Sequence, residues 1–468
     1  MSTHPLELPE ILTHIGFFLP PWEKSPPNFC SVVFNPKTLL SCLLVNKLWH
    51  RTLLPVLWHT YDSSASRCVP TKVVTQNSCY FRALYWSGGW RRGPFHCQHL
   101  TTLIIQGPHW RKHQSGELSL QEDIHRQLVR SNPDLRTLAW CGPTPRTTLT
   151  TDDFLQLKNL RHLRLSQWDA TGGKLERILR VVAESLETLE LESVLSDQIL
   201  PGEHRGQRNN NSEEVIMDDV STSHPHDGTP LVLPLVTKVS RLYGLKSGRD
   251  LQEVAFLCPN MKHLSLYIDC ASSPSLKEGI ECLRAQCPKI RDLFLKHYAL
   301  QDTLLVDIIQ NCSLSGLTSL DFSGRTVTDD IILAIMTQAK TLESLKISTN
   351  PAHLSGENAL LMLTGLTKLR NLQLCLGIIV TSQEDVETWC NVPWARGLET
   401  LFLRFTTHRV DDVGDEYGIW MNSQVDDYDS DSSDINDNIS DKGDDGNDDQ
   451  DGGVGRLLHR GEEAVLDK

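Results

Sequence analysis

Cys287-Pro288-Lys289-Ile290-Arg291-Asp292-Leu293-Phe294-Leu295 carries apolar side chains at the first, fourth and sixth positions counted from Ile290, and that spacing recurs through most of the chain. Toward the N-terminus it is found at Phe81/Leu84/Trp86, Leu100/Leu103/Ile105, Leu135/Leu138/Trp140, Leu160/Leu163/Leu165, Leu186/Leu189/Leu191 and Met261/Leu264/Leu266. Toward the C-terminus it continues at Leu317/Leu320/Phe322, Leu342/Leu345/Ile347, Leu369/Leu372/Leu374 and Leu398/Leu401/Leu403. From Met261 onward the units start at residues 261, 290, 317, 342, 369 and 398, so successive starts lie 29, 27, 25, 27 and 29 residues apart. A period of this size marks an array in which each unit buries its apolar side only against its neighbours.

Each unit reads as a short strand, a loop and a helix that carries the chain back to the next strand. The return segments have helical spacing: Leu175, Ile178, Leu179 and Val182 share a face, as do Leu276, Ile280 and Leu283, and Ile331, Ile332, Ile335 and Met336. Cys258-Pro259, Cys287-Pro288 and Asn132-Pro133 precede strands, where proline forbids the helix from continuing. These units resemble the cysteine-containing class of leucine-rich repeats. The fold expected over residues 81–410 is therefore an α/β solenoid.

The first 58 residues do not follow the period. Leu8-Pro9-Glu10-Ile11-Leu12 leads into Ile15, Phe18 and Leu19, an apolar helix face whose proline is tolerated in the first turn, and Pro20-Pro21 ends it. Further on, Leu39 to Trp58 holds enough apolar residues for two more short helices around Pro55. Leu-Pro-Glu-Ile-Leu, then Leu-Leu-Val-Asn-Lys-Leu-Trp-His, then Leu-Leu-Pro-Val-Leu-Trp together resemble an F-box, here spanning residues 5–58. The resemblance implies docking on a Skp-type adaptor, and through it on a cullin-RING ubiquitin ligase, by Leu8, Pro9, Ile11, Leu12, Val45 and Trp49 or their immediate support. It also implies that the repeats select a protein substrate. Residues 22–37 read as an insertion between the first two helices, where the family motif is more compact. Residues 59–80, polar and without clear period, read as a linker.

The net charge of -14 is unevenly spread. Residues 411–453 hold 16 acidic side chains against one Lys, a balance of -15, which leaves about +1 for everything else. A segment so charged and so poor in apolar residues cannot pack, and residues 411–468 are expected to be a disordered acidic tail, with a short helix around Leu457, Leu458, Val465 and Leu466. Thirteen cysteines, none in a Cys-x-x-Cys pair, point to a reducing compartment, and no long apolar run supports secretion or membrane spanning. A cytoplasmic or nuclear location follows as an expectation.

Between Leu191 and Met261 the register lapses. Val236 and Val239 suggest a degenerate strand, and the polar stretch 201–230 a solvated loop inserted into the array. His204, His224, His226, Asp218 and Asp219 in that loop, and His109 with His113, lack the spacing of a metal site. Tyr80 to His96 mixes aromatic and basic residues, yet Phe81, Leu84 and Trp86 are already committed to a strand and the near-neutral body lacks the field that nucleic acid requires. No phosphate loop, His-Glu-x-x-His or Gly-x-Ser-x-Gly occurs. The expectation is a non-catalytic receptor without cofactor or metal, binding protein rather than nucleic acid or membrane. The alternatives are a ligase-independent scaffold, or a protein akin to Ran GTPase activators and acidic nuclear phosphoproteins, against which the absence of a regular Asn after the strands argues.

Alternation within each strand turns the residues flanking the fourth-position Leu to the open, concave sheet face. That face should carry His162 and Arg164, Thr188 and Glu190, His263 and Ser265, Asp292 and Phe294, Ser344 and Lys346, and Thr400 and Phe402. Phe294, Phe402 and Tyr267 are large aromatics on a surface that solvent should otherwise keep polar. With Arg164 and Lys346 they are the candidate substrate contacts.

Overall fold

The computed structural model describes residues 5–19, 21–24, 32–66, 69–87, 97–106, 124–142, 151–168, 170, 173–194, 230–243, 248–268, 274–297, 302–324, 327–349, 365–376, 397–405 and 464–465. Residues 201–229 of the loop expected at 201–230, the acidic stretch 411–453, His109, His113 and residues 90–96 lie outside them. Strands β3 (Thr60–Asp62), β4 (Ala83–Ser87), β5 (Thr102–Gln106), β6 (Thr137–Cys141), β7 (His162–Ser166), β8 (Thr188–Glu192) and β9 (Lys238–Tyr243) lie side by side in chain order. They are followed by β10 (His263–Ile268), β11 (Asp292–His297), β12 (Ser319–Gly324), β13 (Ser344–Thr349), β14 (Asn371–Leu376) and β15 (Thr400–Phe405). All neighbouring pairs from β3 to β15 are parallel. A parallel sheet in strict sequence order is what a repeat of strand and return helix must build.

The return helices include α4 (Thr71–Asn77), α5 (124–130), α6 (Thr151–Phe154), α7 (Lys174–Val182), α8 (Gly248–Leu257), α9 (Pro274–Gln286), α10 (Asp302–Asn311) and α11 (Asp329–Met336). The recurring apolar positions face them: Leu264, Leu266, Leu293, Leu295, Leu320, Phe322, Leu345 and Ile347 are all buried, as are Leu175, Ile178, Leu179 and Val182 on α7. In register, Leu293 sits beside Leu264 and Leu320, so like positions stack from strand to strand. A backbone ladder reinforces the stacking. The residue after each first apolar position donates its N–H to its counterpart's carbonyl in the preceding unit, unbroken from His59 to Glu399 at 2.7–3.0 Å.

Polar side chains buried at the unit boundaries serve the same backbone. Asn132 accepts from the Leu100 N–H (2.8 Å) and donates to the carbonyls of Cys97 (2.8 Å) and Leu128 (2.7 Å). Gln338 accepts from the Leu317 N–H and donates to the Ile309 carbonyl, both at 3.0 Å. The Cys287 thiol donates to the carbonyls of Cys258 (3.4 Å) and Ala255 (3.5 Å), and burial pushes it up to about 12, which keeps it protonated and unreactive. Fully buried Asp153 receives Arg126 at 3.0 Å and also Arg130, joining α5 to α6.

Four expectations need correction or refinement. Residues 59–80 are not a linker: they hold β3 and α4, and β3 pairs with β4 so that Tyr61 lies opposite Leu84. Trp58, Tyr61 and Ser63, all buried, take the first, fourth and sixth positions of this first unit. The array therefore begins before residue 81. Second, the degenerate strand is real, with Val236, Val239 and Leu242 inward, but its register against β10 slips between Leu264 and Leu266. A bulge adds one residue, so the spacing is three and three instead of three and two. Third, Ala464–Val465 form a strand, β16, rather than a helix or disordered tail. It pairs antiparallel with β15 and satisfies backbone groups that an edge strand leaves open. Fourth, the two short helices expected around Pro55 are present, with Pro55 in the last turn of the second.

That helix is α3 (Lys47–Leu57). It follows α1 (Pro9–Phe17) and α2 (Lys37–Leu43). Asn46 caps it, its side-chain oxygen accepting from the Trp49 N–H at 2.9 Å. A Cβ on Gly16 would lie 2.7 Å from Leu53 Cδ2, so glycine lets α1 approach α3 closely. Within the expected insertion at 22–37, β1 (Trp22–Lys24) and β2 (Val32–Phe34) pair antiparallel as a hairpin, closed at its base where the Asn35 N–H donates to the Pro21 carbonyl at 2.7 Å. Leu39, Leu43, Leu53 and Leu57 belong to the same contiguous core as Tyr61, Phe81 and Leu84.

Candidate protein-interaction site

Two surfaces hold the residues singled out from the sequence. The first is on α1 to α3. Leu12 is fully buried and Trp49 is partly buried against the core, so both support the surface from behind. Leu8 and Ile11, each 37 % exposed, and Phe18, 83 % exposed, lie along one side of α1 and its two caps, beside the buried Leu12 and Gly16. Pro9 is also exposed, at the first turn. Leu44 (85 %) and Val45 (58 %) are exposed between α2 and α3. Apolar side chains that stay exposed beside a closed core are surface which the chain's own core does not cover. Phe18 and Leu44 are absent from the candidates that the sequence suggests. Its pattern groups Phe18 with the apolar face of α1, and the exposure of that ring depends on which face of α1 meets α3.

The second surface is the open face of the sheet. Phe294 and Tyr267 meet there, ring centroids 5.3 Å apart and tilted by 38°, and Lys296 Nζ stands 5.7 Å from the Tyr267 centroid. Phe294, Asp321 and Lys346 occupy corresponding positions on β11, β12 and β13, and Lys346 Nζ pairs with Asp321 Oδ2 at 3.1 Å. Burial raises the Asp321 carboxyl above its ordinary range, partly countered by the hydrogen bond and charge of Lys346, and its Oδ1 is buried with no partner among the described residues. His263 pairs with Asp292, whose other oxygen accepts from Thr318 Oγ1 at 2.9 Å. Lys296 and Asp321 escaped selection from the sequence, though the alternation that exposes Phe294 exposes them as well.

The five substrate candidates do not form one cluster. Tyr267, Phe294 and Lys346 lie on β10, β11 and β13. Arg164 on β7 is held by Glu192 (2.9 Å) and Glu190 (3.6 Å) on the next strand, and Phe402 on β15 is half-buried beside β16. At about 4.8 Å per strand, Arg164 and Phe402 each stand four strands, or about 19 Å, from Phe294. Among the described residues no group of three or more His, Cys, Asp and Glu could hold a metal, and no helix is long and apolar enough to cross a membrane.

No family model matches the chain, and no curated protein matches it. Similar solved structures include TLR13 in its complex with ssRNA13, at 15 % identity over 75 % of this chain and 45 % of that one, with a TM-score of 0.34. This chain thus spans less than half the length of that TLR13 chain. Others are the internalin InlF from Listeria monocytogenes (12 % identity, 63 % of this chain, 73 % of that one, TM-score 0.29) and the leucine-rich-repeat-containing protein LegL7 from Legionella pneumophila (11 %, 66 %, 89 %, 0.24). Superpositions this loose say nothing of what the chain binds. Its class follows from its own strand order, stacked leucine registers and return helices, which are those of a leucine-rich-repeat α/β solenoid.

Proposed function

We propose that the chain is the substrate-recognition subunit of an SCF-type ubiquitin ligase, holding a Skp-type adaptor on its N-terminal helices and a target protein on the open face of its repeats. The observation that carries this reading is the apolar face of Leu8, Ile11, Phe18, Leu44 and Val45, left outside a core that is already closed beneath it. The chain itself would perform no chemistry; ubiquitin transfer belongs to the other subunits. The test is co-purification of the full chain with a Skp-type adaptor. Leu8→Asp with Val45→Asp should abolish it while shifting stability by less than about 0.5 kcal/mol, since both side chains are surface positions. Undiminished adaptor yield after both changes overturns the assignment. Trp49→Ala is a poorer probe because it also opens the core.

Target capture is assigned to Tyr267 and Phe294, with Lys346, Arg164 and Phe402 as outlying contacts. A second reading is a ligase-independent scaffold, favoured by the direct run of α3 into β3, which would suit helices that only close the end of the array. Failure of the unaltered chain to retain any adaptor selects it.

A further inference from the structure

The hairpin at 22–34 is absent from the compact form of the motif that the N-terminus resembles, and the adaptor-facing residues do not involve it. Its position in the fold suggests a use. Trp22 and Phe34 are directly paired across the hairpin, ring centroids 4.9 Å apart. Phe34 is 6.3 Å from Trp58, Trp58 is 6.2 Å from Phe81, and Phe81 is stacked on Tyr61 at 5.0 Å with the planes 5° apart. Trp58 and Phe81 hold the same first inward position in consecutive units, so Phe34 lies where a preceding unit would place its own apolar residue. Trp58 is also the C-cap of α3, and β3 begins only two residues later.

A terminal repeat exposes the apolar edge that an inner one would bury, and needs something that is not a repeat to cover it. We propose that the inserted hairpin is the N-terminal cap of the solenoid core, and that by gripping Trp58 it fixes the angle between the adaptor-facing helices and the open sheet face. The first part stands on the ring geometry alone; the second rests on the functional reading above. A target held on β10 to β13 is presented to the ligase in a set direction only if the end of α3 cannot swing. Rings suit this joint because they present large, rigid area at little conformational cost.

The test is hydrogen exchange on the full chain carrying Trp22→Ala and Phe34→Ala, with Phe34→Leu as a milder variant should the double change unfold the protein. Exchange of the β3 and β4 amides should quicken about tenfold or more, while β12 and β13 keep their protection, because local opening reports local packing. Unchanged exchange in β3 and β4 overturns the cap, as does an equal rise in every strand with the milder variant. The tie is read separately, in a reconstituted ligase. The double variant should retain adaptor at wild-type yield yet ubiquitylate a captured target several-fold more slowly; an equal rate overturns the tie. Absence of adaptor binding in the wild type would sink the functional reading and leave the exchange result standing.

Discussion

Between β10 and β14 the first inward position is filled by Met261, Ile290, Leu317, Leu342 and Leu369, whereas at β3 and β4 the same position is filled by Trp58 and Phe81. In the first region unit length varies only between 25 and 29 residues, every inward side chain of a strand meets another apolar one on the next strand, and aliphatic residues are interchangeable. In the second there is no preceding unit. The stack must cross from a repeat to a hairpin that shares none of its geometry, and large rings span the mismatch. The polar supports do not follow this contrast: neutral Asn132 in the N-terminal half and neutral Gln338 in the C-terminal half both serve backbone groups of adjoining units, and the Arg126, Arg130 and Asp153 cluster adds a charged tie between helices.

If the joint depends on ring area, Phe81→Ala should be the most damaging single substitution. Removing a fully buried ring that touches Trp58 and Tyr61 is expected to lower stability by about 3–5 kcal/mol in denaturant unfolding. A loss below about 1 kcal/mol would mean that the neighbours collapse into the space and the joint is soft. Gln338→Ala should cost less, about 2 kcal/mol, because it strands the Leu317 N–H and the Ile309 carbonyl in the interior. A neutral outcome would show water taking the place of the amide.

The smallest effect concerns His59 at the α3 to β3 junction. Burial, and secondly the charge of Arg82, hold its pKa below 6.5, so the folded state disfavours the imidazolium and the unfolded chain binds more protons. The stability this confers is fully present above about pH 6.5 and is lost as pH falls through the depressed folded value. Melting curves between pH 7.5 and 5 should therefore decline more steeply for the wild type than for His59→Gln. Parallel curves would remove His59 from the account.

The repeat array was legible in the sequence wherever leucine or isoleucine held the three inward positions, because the pattern depends only on alternation along a strand and return through a helix. It was lost where chemistry or spacing changed. Trp58, Tyr61 and Ser63 form a unit without one aliphatic side chain, and Ser63 succeeds at an inward position because its hydroxyl accepts the Ser87 N–H at 2.8 Å. Val236 and Val239 showed only as a degenerate strand, because a bulge shifted Leu242, their third inward partner. The apolar character of the N-terminal helices was equally legible, but not which residues of it would be exposed.

By itself, then, the sequence determined the class of fold, the identity of the stacked core and the alternation that sends Phe294, Tyr267 and Lys346 to the open face, since each is a local consequence of period and polarity. Tertiary structure alone decided where the array begins, that the hairpin closes its end, that Leu12 is core while Leu44 and Phe18 are surface, and that Arg164 and Phe402 stand far from the aromatic pair. Those are properties of distance between segments. A linear pattern fixes which way a side chain points from its own backbone, but not which other backbone lies beyond it.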